Sequence, residues 1–127
     1  MNRTVLFVED DEAFRTTVAR HLRRHGLAVI EACSAEDADR RLVAGLRPAL
    51  VLLDLNLPGE SGWELIRGGR LGDAGNPPVV VLSAITVSAH RLREHRVAGY
   101  LPKPFPLEAL VDTVERLLTK EALATEP

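Results

Sequence analysis

The residues with the most chemical potential stand directly after short apolar runs. Residues 5–8 are followed by Glu9, Asp10 and Asp11, residues 49–53 by Asp54, and residues 79–82 by Ser83; Lys103 comes just after residues 99–101. If the first and third runs are neighbouring strands, their carboxylates share one crevice. Two carboxylates ~4 Å apart repel by about 4 kcal/mol at an effective dielectric near 20, so such a site is either partly protonated or built around a cation. Oxygen ligands without His or Cys favour a hard ion, Mg²⁺ above all. That ion uses one or two carboxylates, keeps waters and leaves a position for a phosphoryl oxygen. Lys103 offers a point charge and Ser83 a hydroxyl donor to the same group. Asp54 is then a candidate carboxylate nucleophile, attacking phosphorus to give an acyl phosphate. Phosphoryl transfer asks little of a protein beyond positioning and charge stabilisation.

The surrounding elements must bring these residues together. The runs at 5–8, 28–32, 49–53 and 79–82 are nearly continuous in apolar residues, which suits strands covered on both faces. A shorter fifth run lies at 99–101. Between them lie helical patterns. Phe14, Val18 and Leu22 repeat at helical spacing and stop at Gly26; Ser34 with Asp37 is a capping signal, followed by Ala38, Leu42 and a stop at Gly45. Trp63, Leu65 and Ile66 suggest a short helix that Gly68, Gly69, Gly72 and Gly75 then break. Residues 88–96 form a helix with Leu92 as its main apolar anchor. The last helix holds Leu107, Leu110, Val111, Val114, Leu117 and Leu118 in one stripe, with Pro106 at its first turn. Strand and helix alternate five times, which predicts an α/β fold: a doubly wound, five-stranded parallel sheet with five helices. Sites in such sheets form outside the carboxyl ends of the strands, which is where the polar residues fall.

The chain has 127 residues, 46% hydrophobic and 27% charged, which suits one globular domain. The domain is expected over residues 1–118, with 119–127 a flexible tail or the start of a linker. Sixteen Lys and Arg against eighteen Asp and Glu give a net charge of −2, which argues against direct nucleic-acid binding by this domain. Cys33 is the single cysteine and forms no intramolecular disulfide, as in a reducing compartment. No apolar run approaches the ~20 residues of a membrane span, nor does the N-terminus carry a signal-peptide core. A soluble, cytoplasmic domain is expected.

Five motifs in chain order carry a resemblance: Val5-Leu6-Phe7-Val8-Glu9-Asp10-Asp11-Glu12, Leu52-Leu53-Asp54-Leu55-Asn56-Leu57-Pro58-Gly59, Gly62-Trp63-Glu64-Leu65, Val81-Leu82-Ser83-Ala84 and Tyr100-Leu101-Pro102-Lys103-Pro104-Phe105. Over about residues 4–118 the chain resembles the response-regulator receiver domain of two-component signalling. The resemblance implies a flavodoxin-like sheet ordered 2-1-3-4-5. It implies that Asp54 accepts a phosphoryl group from a sensor histidine kinase or a histidine phosphotransfer protein, and that a downstream protein or output domain reads the result. Asp10 and Asp54 are implied as Mg²⁺ ligands, with Asn56 through its backbone carbonyl and Glu9 through water. Lys103 pairs with phosphoryl oxygens, Ser83 follows the phosphate, and Tyr100 turns inward as the hydroxyl moves. The Lys103–Pro104 peptide is expected to be cis. The stretch from Ser83 to Lys103 is shorter than in the commonest members of the family, and Arg96-Val97 stands where Gly-Ala is usual.

Plainer readings apply to other residues. Asp11 is expected to cap the first helix, His21 and His25 to lie on a solvated face, and Trp63 and Phe14 to serve as packing. Arg91, Arg93 and Arg96 with Glu94 read as a solvated helix face. A sharper reading pairs them with Glu108, Asp112 and Glu115 of a second copy, a homodimer through residues 88–118. Asn56 and Ile85 border the path of a hydrolysing water and are expected to tune the lifetime of the phosphorylated state. Two rivals stand beside the receiver reading: an unphosphorylated interaction module, and a Mg²⁺-dependent aspartyl phosphohydrolase, which would want a second Asp at position 56.

Overall fold

A computed structural model describes residues 2–58 and 61–125; Met1, Gly59 of the loop motif, Glu60 and the last two residues lie outside the described residues. The chain runs β1 (Thr4–Val8), α1 (Glu12–Arg24), β2 (Ala28–Ala32), α2 (Ala35–Val43), β3 (Leu50–Asp54) and α3 (Ser61–Arg67). It continues through α4 (Arg70–Asp73), β4 (Val79–Ser83), α5 (Ala89–Glu94), β5 (Gly99–Pro102) and α6 (Leu107–Thr125). The strands form one parallel sheet in the order β2-β1-β3-β4-β5. The expected sheet and strand order are therefore present, with strand ends shifted by a residue.

Continuous apolar runs are explained by two cores. Val5 and Phe7 of β1, Leu50 and Leu52 of β3, and Val80 and Leu82 of β4 point to one face, where α1 and α6 bury Val18, Leu22, Leu110 and Val114. Leu6, Val8, Val51, Leu53, Val79 and Val81 point to the other, against Ala38, Leu42, Leu65 and Leu71. Alternate residues thus serve opposite cores, so in β3 and β4 no position is left to be polar until the strand ends, whereas the edge strand β2 carries Glu31 in its interior. Truncating one of these leucines to alanine costs about 2–5 kcal/mol.

Helix boundaries follow local chemistry. Asp11 caps α1 by accepting from the Phe14 amide at 3.1 Å, as expected. Ser34 caps α2, accepting from the Asp37 amide at 3.0 Å, while the Asp37 carboxylate accepts from the Cys33 amide at 3.1 Å. One expectation needs correction: the helices number six among the described residues, not five. The glycine-rich stretch after α3 does not stay irregular. Gly69 turns the chain with φ +83°, and α4 forms because Leu71 and Ala74 are buried against the second core. Burial outweighs the poor propensity of Gly72 within it. The last helix continues past Thr119, where apolar periodicity fades, as far as Thr125.

Candidate functional site

Strand register gathers the site. Val8 lies opposite Leu53, so Glu9 leaves β1 beside Asp54, the last residue of β3. Asp54 lies opposite Leu82, so Ser83 ends β4 one step further, and Ser83 lies opposite Pro102, which puts Lys103 at the same rim. Residues 9, 54, 83 and 103 are distant in the chain but consecutive around the carboxyl edge of three central strands and their neighbour.

Lys103 ties the rim together. Its ammonium donates to Asp54 Oδ2 and to Glu9 Oε1, both at 3.0 Å. The ring of Phe14 lies beneath it, with the ammonium 4.6 Å from the ring centroid, and Phe14 is itself wedged edge-on against Phe7 and Phe105. The opposite oxygen of Asp54, Oδ1, accepts from the Asn56 amide at 2.8 Å. The Lys103–Pro104 peptide is cis, as the resemblance implied.

Glu9 and Asp54 are both buried, and Asp10 is exposed. Burial, then its hydrogen bond with Asp54, pushes the Glu9 carboxyl up to about 8. Asp54 moves the other way: burial alone would raise it, but hydrogen bonds from Glu9, the Asn56 amide and Lys103 outweigh burial and lower it. Burial would lower Lys103 too, yet its two carboxyl partners raise it. Burial thus displaces Glu9 towards its neutral form, while its partners displace Asp54 towards the anion that faces the ammonium.

Oxygens of Glu9, Asp10 and Asp54 all lie within 4.8 Å of one another, and no other group of three potential ligands is found among the described residues. The donors are hard oxygens without nitrogen or sulfur, and exposed Asp10 leaves room for water. That set fits a hard divalent cation retaining part of its hydration.

Ser83 and Tyr100 meet at a common carbonyl. Ser83 Oγ donates to Ile85 O at 2.8 Å and accepts from the Ile85 amide at 3.0 Å, and Tyr100 Oη donates to the same Ile85 O at 3.4 Å. Asn56 Oδ1 accepts from the Ala84 amide at 3.0 Å, linking the loop after β3 to the loop after β4. The Ile85 side chain is 68% exposed beside them.

Other expectations fare unevenly. His25 is exposed, as expected, but His21 is not: its ring lies 4.9 Å from that of His25 and its Nε2 is buried without a hydrogen-bond partner among the described residues. Arg91 does not belong to a plain solvated face, because its guanidinium lies 4.2 Å from the centroid of the Trp63 ring. Glu115, expected to meet a second copy, pairs with Arg3 of the same chain at 2.6 Å. Sequence reasoning took Phe14 for packing alone and missed its place under Lys103. Its only signal was the aromatic pair formed with Phe105, visible once α1 and the loop after β5 are side by side.

No helix among the described residues is long and apolar enough to cross a membrane. Residues 5–115 match the family described as the response regulator receiver domain. Protein PetR of Rhodobacter capsulatus is 35% identical over 127 residues, covering 97% of this chain and 52% of that protein. The KDP operon transcriptional regulatory protein KdpE of Escherichia coli is likewise 35% identical, covering 97% of this chain and 54% of its own length. The chain thus spans about half the length of these curated relatives. Among solved structures, a response regulator from Burkholderia pseudomallei with a phosphorylated aspartic acid, calcium ion and citrate superposes with a TM-score of 0.76 at 26% identity, covering 98% of this chain and 76% of that one. A match running from the first strand into the last helix, and so taking in every residue of the carboxyl rim, makes this chain a member of the response regulator receiver domain family of two-component systems.

Proposed function

We propose that this receiver domain takes a phosphoryl group onto Asp54 from a phosphohistidine of a sensor histidine kinase or histidine phosphotransfer protein, in a Mg²⁺-dependent reaction. The observation that carries this reading is the setting of Asp54: buried, accepting from the Asn56 backbone amide at 2.8 Å and in contact with the Lys103 ammonium at 3.0 Å. An Asp54 oxygen attacks phosphorus, the P–N bond breaks, and the electron pair leaves with the imidazole. Asp10 and Asp54, with the Asn56 backbone carbonyl and Glu9 through water, would hold the Mg²⁺. When bound, the cation supplies positive charge against the phosphoryl oxygens. Lys103 supplies the remaining charge from its fixed place over Phe14.

Ser83 then turns its hydroxyl from Ile85 to the phosphoryl group. The freed Ile85 carbonyl is left to Tyr100, which draws the ring inward and alters the surface around Ser88 to Tyr100. Two pre-existing arrangements are thereby biased rather than a new one created. Asn56 and Ile85 border the acceptor and tune how long the acyl phosphate lasts. The partner that reads the altered surface is a downstream protein or an output domain. The phosphorylated aspartic acid of the Burkholderia regulator supports this use of the fold. The domain catalyses only its own phosphorylation and dephosphorylation, in the cytoplasm.

The test compares the wild-type chain with Asp54→Asn, using a small phosphodonor and Mg²⁺. The wild type is expected to gain up to one equivalent of alkali-labile phosphate and the folded variant none. Undiminished uptake by Asp54→Asn overturns the assignment. Sustained phosphate release beyond one equivalent would instead favour a phosphohydrolase, and a Mg²⁺ titration without affinity an unphosphorylated module.

A further inference from the structure

Helix α5 poses a packing problem. It has six residues and buries none of them, and its chief apolar side chain, Leu92, is only half-buried. A helix of this length has little stability of its own. Leu92 packs against the second core, and beside it two side chains of the helix end meet one ring. Arg91 and His95, one turn apart, both lie on Trp63 of α3: the guanidinium carbon is 4.2 Å and the imidazole centroid 4.5 Å from it. Trp63 is buried and Arg91 and His95 are half-buried, so the contact is partly shielded from water. His95 is oriented in turn by Nδ1, which lies 2.9 Å from the Arg91 carbonyl oxygen.

This stack is joined to the acceptor site by a short loop. At its start, Ala84 is held by Asn56 and Ile85 by Ser83. At its end, Ser88 caps α5 by accepting from the Arg91 amide at 3.1 Å. Beneath the loop lies an open cleft of about 270 Å³, lined by Asn56, Trp63, Ser83, Ile85, Ser88 and Arg91 among others. The loop therefore has space to close towards Asp54, but only by pulling the first turn of α5, with Arg91, relative to Trp63.

We propose that the stack of Arg91 and His95 on Trp63 is the latch that holds α5 in its unphosphorylated position, and that closure of the loop onto a phosphorylated acceptor breaks it. The proposal rests on the phosphoacceptor reading above. Trp63 is a positioning residue here: it touches no reacting atom and acts through α5. Breaking the latch in advance lowers the cost of the phosphorylated arrangement, so uptake becomes faster.

Trp63 is the only tryptophan of the chain, so its emission reports the latch directly. The experiment adds phosphoramidate and Mg²⁺, and follows Trp63 fluorescence and bound phosphate in the same sample. In the wild type, emission is expected to change in step with incorporation, and Asp54→Asn should abolish both. Arg91→Ala and His95→Ala should shift the resting emission towards the phosphorylated value and raise the rate of incorporation on the order of threefold. Arg91→Lys, which keeps a cation over the ring, should restore much of the wild-type behaviour. Full incorporation without a change in Trp63 emission overturns the latch alone, as do alanine variants with wild-type emission and rate. Absence of incorporation in the wild type overturns the phosphoacceptor reading and the latch with it.

Discussion

The hydroxyls of Ser83 and Tyr100 share one acceptor. Both donate to the carbonyl oxygen of Ile85, Ser83 at 2.8 Å and Tyr100 at 3.4 Å. The shorter bond is the stronger, so in this arrangement Ser83 holds the carbonyl and Tyr100 takes what is left. A group that draws Ser83 away changes the balance without touching Tyr100. The two residues are coupled through an atom that belongs to neither, and a serine suffices because only its hydroxyl takes part.

Removing that hydroxyl separates its two duties. Ser83→Ala should leave the fold intact and slow phosphate uptake from a small donor by about tenfold, the loss of one hydrogen bond to a charged group. Its metal-free spectrum should already show Tyr100 displaced, because the Ile85 carbonyl has lost its nearer donor. Ser83→Thr should stay within about twofold of wild type. Initial rates of incorporation and the amide resonances near Tyr100 check this; equal rates for alanine and threonine would count against the role given to the hydroxyl.

Lys103→Ala removes the ammonium that touches Asp54 and Glu9. Uptake on Asp54 is expected to persist at a reduced rate, since attack needs the carboxylate rather than the lysine. The signal should be uncoupled, because nothing then fixes the phosphoryl oxygens for Ser83 to follow. A phosphorylation-induced shift near Tyr100 as large as in wild type would contradict this.

The ends of the central strands were legible because burial on both faces keeps the interiors of β1, β3 and β4 apolar, so Glu9, Asp54 and Ser83 mark where each one stops. Register was not legible, and register is what sets Lys103 beside both carboxyls. Neither was the opposite displacement of the two carboxyls: sequence places Glu9 and Asp54 near each other, but burial raises the one while the Asn56 amide and the lysine help lower the other, seen only in three dimensions. Helix α4 escaped notice because Gly69 and Gly72 signal a break locally, while Leu71 is rewarded by a core formed from distant residues. The Trp63 stack was hidden for the same reason, since α3 and α5 meet only after β4 is laid into the sheet.

The displaced carboxyl of Glu9 makes a pH prediction for the metal-free domain. Its ordinary value is 4.5 and in the fold it is about 8, so between these values the folded state binds more protons than the unfolded one. The stabilising contribution is full below about pH 4.5 and is lost as pH rises through about 8. In chelator, melting temperature should therefore fall across this window. Glu9→Gln, whose amide still donates to Asp54 but does not ionise, should flatten that slope. Melting curves at fixed ionic strength decide it, and a slope unchanged by the substitution would show that another group is responsible.

Helix ends supply the last prediction. The helices α1, α2 and α4 close with the same paired bonds, in which a glycine in the left-handed region donates back to the last turn: Gly26, Gly45 and Gly75, with φ of +81°, +108° and +97°. Helix α5 closes identically, with Arg96 donating to Arg93 O at 3.0 Å and Val97 to Leu92 O at 3.0 Å. Here the left-handed position, φ +54°, is filled by an arginine, whose Cβ crowds the following carbonyl. Arg96→Gly should relieve about 1 kcal/mol, partly offset by the greater freedom of glycine in the unfolded chain. The net gain expected is a few tenths of a kcal/mol to about 1 kcal/mol, a rise of roughly 1–5 °C in melting temperature. Arg96→Ala separates the backbone from the side chain: it keeps the crowded Cβ but drops the guanidinium, so it should show no such gain. If alanine stabilises as much as glycine, the relief comes from removing positive charge near Arg93, and the backbone argument fails.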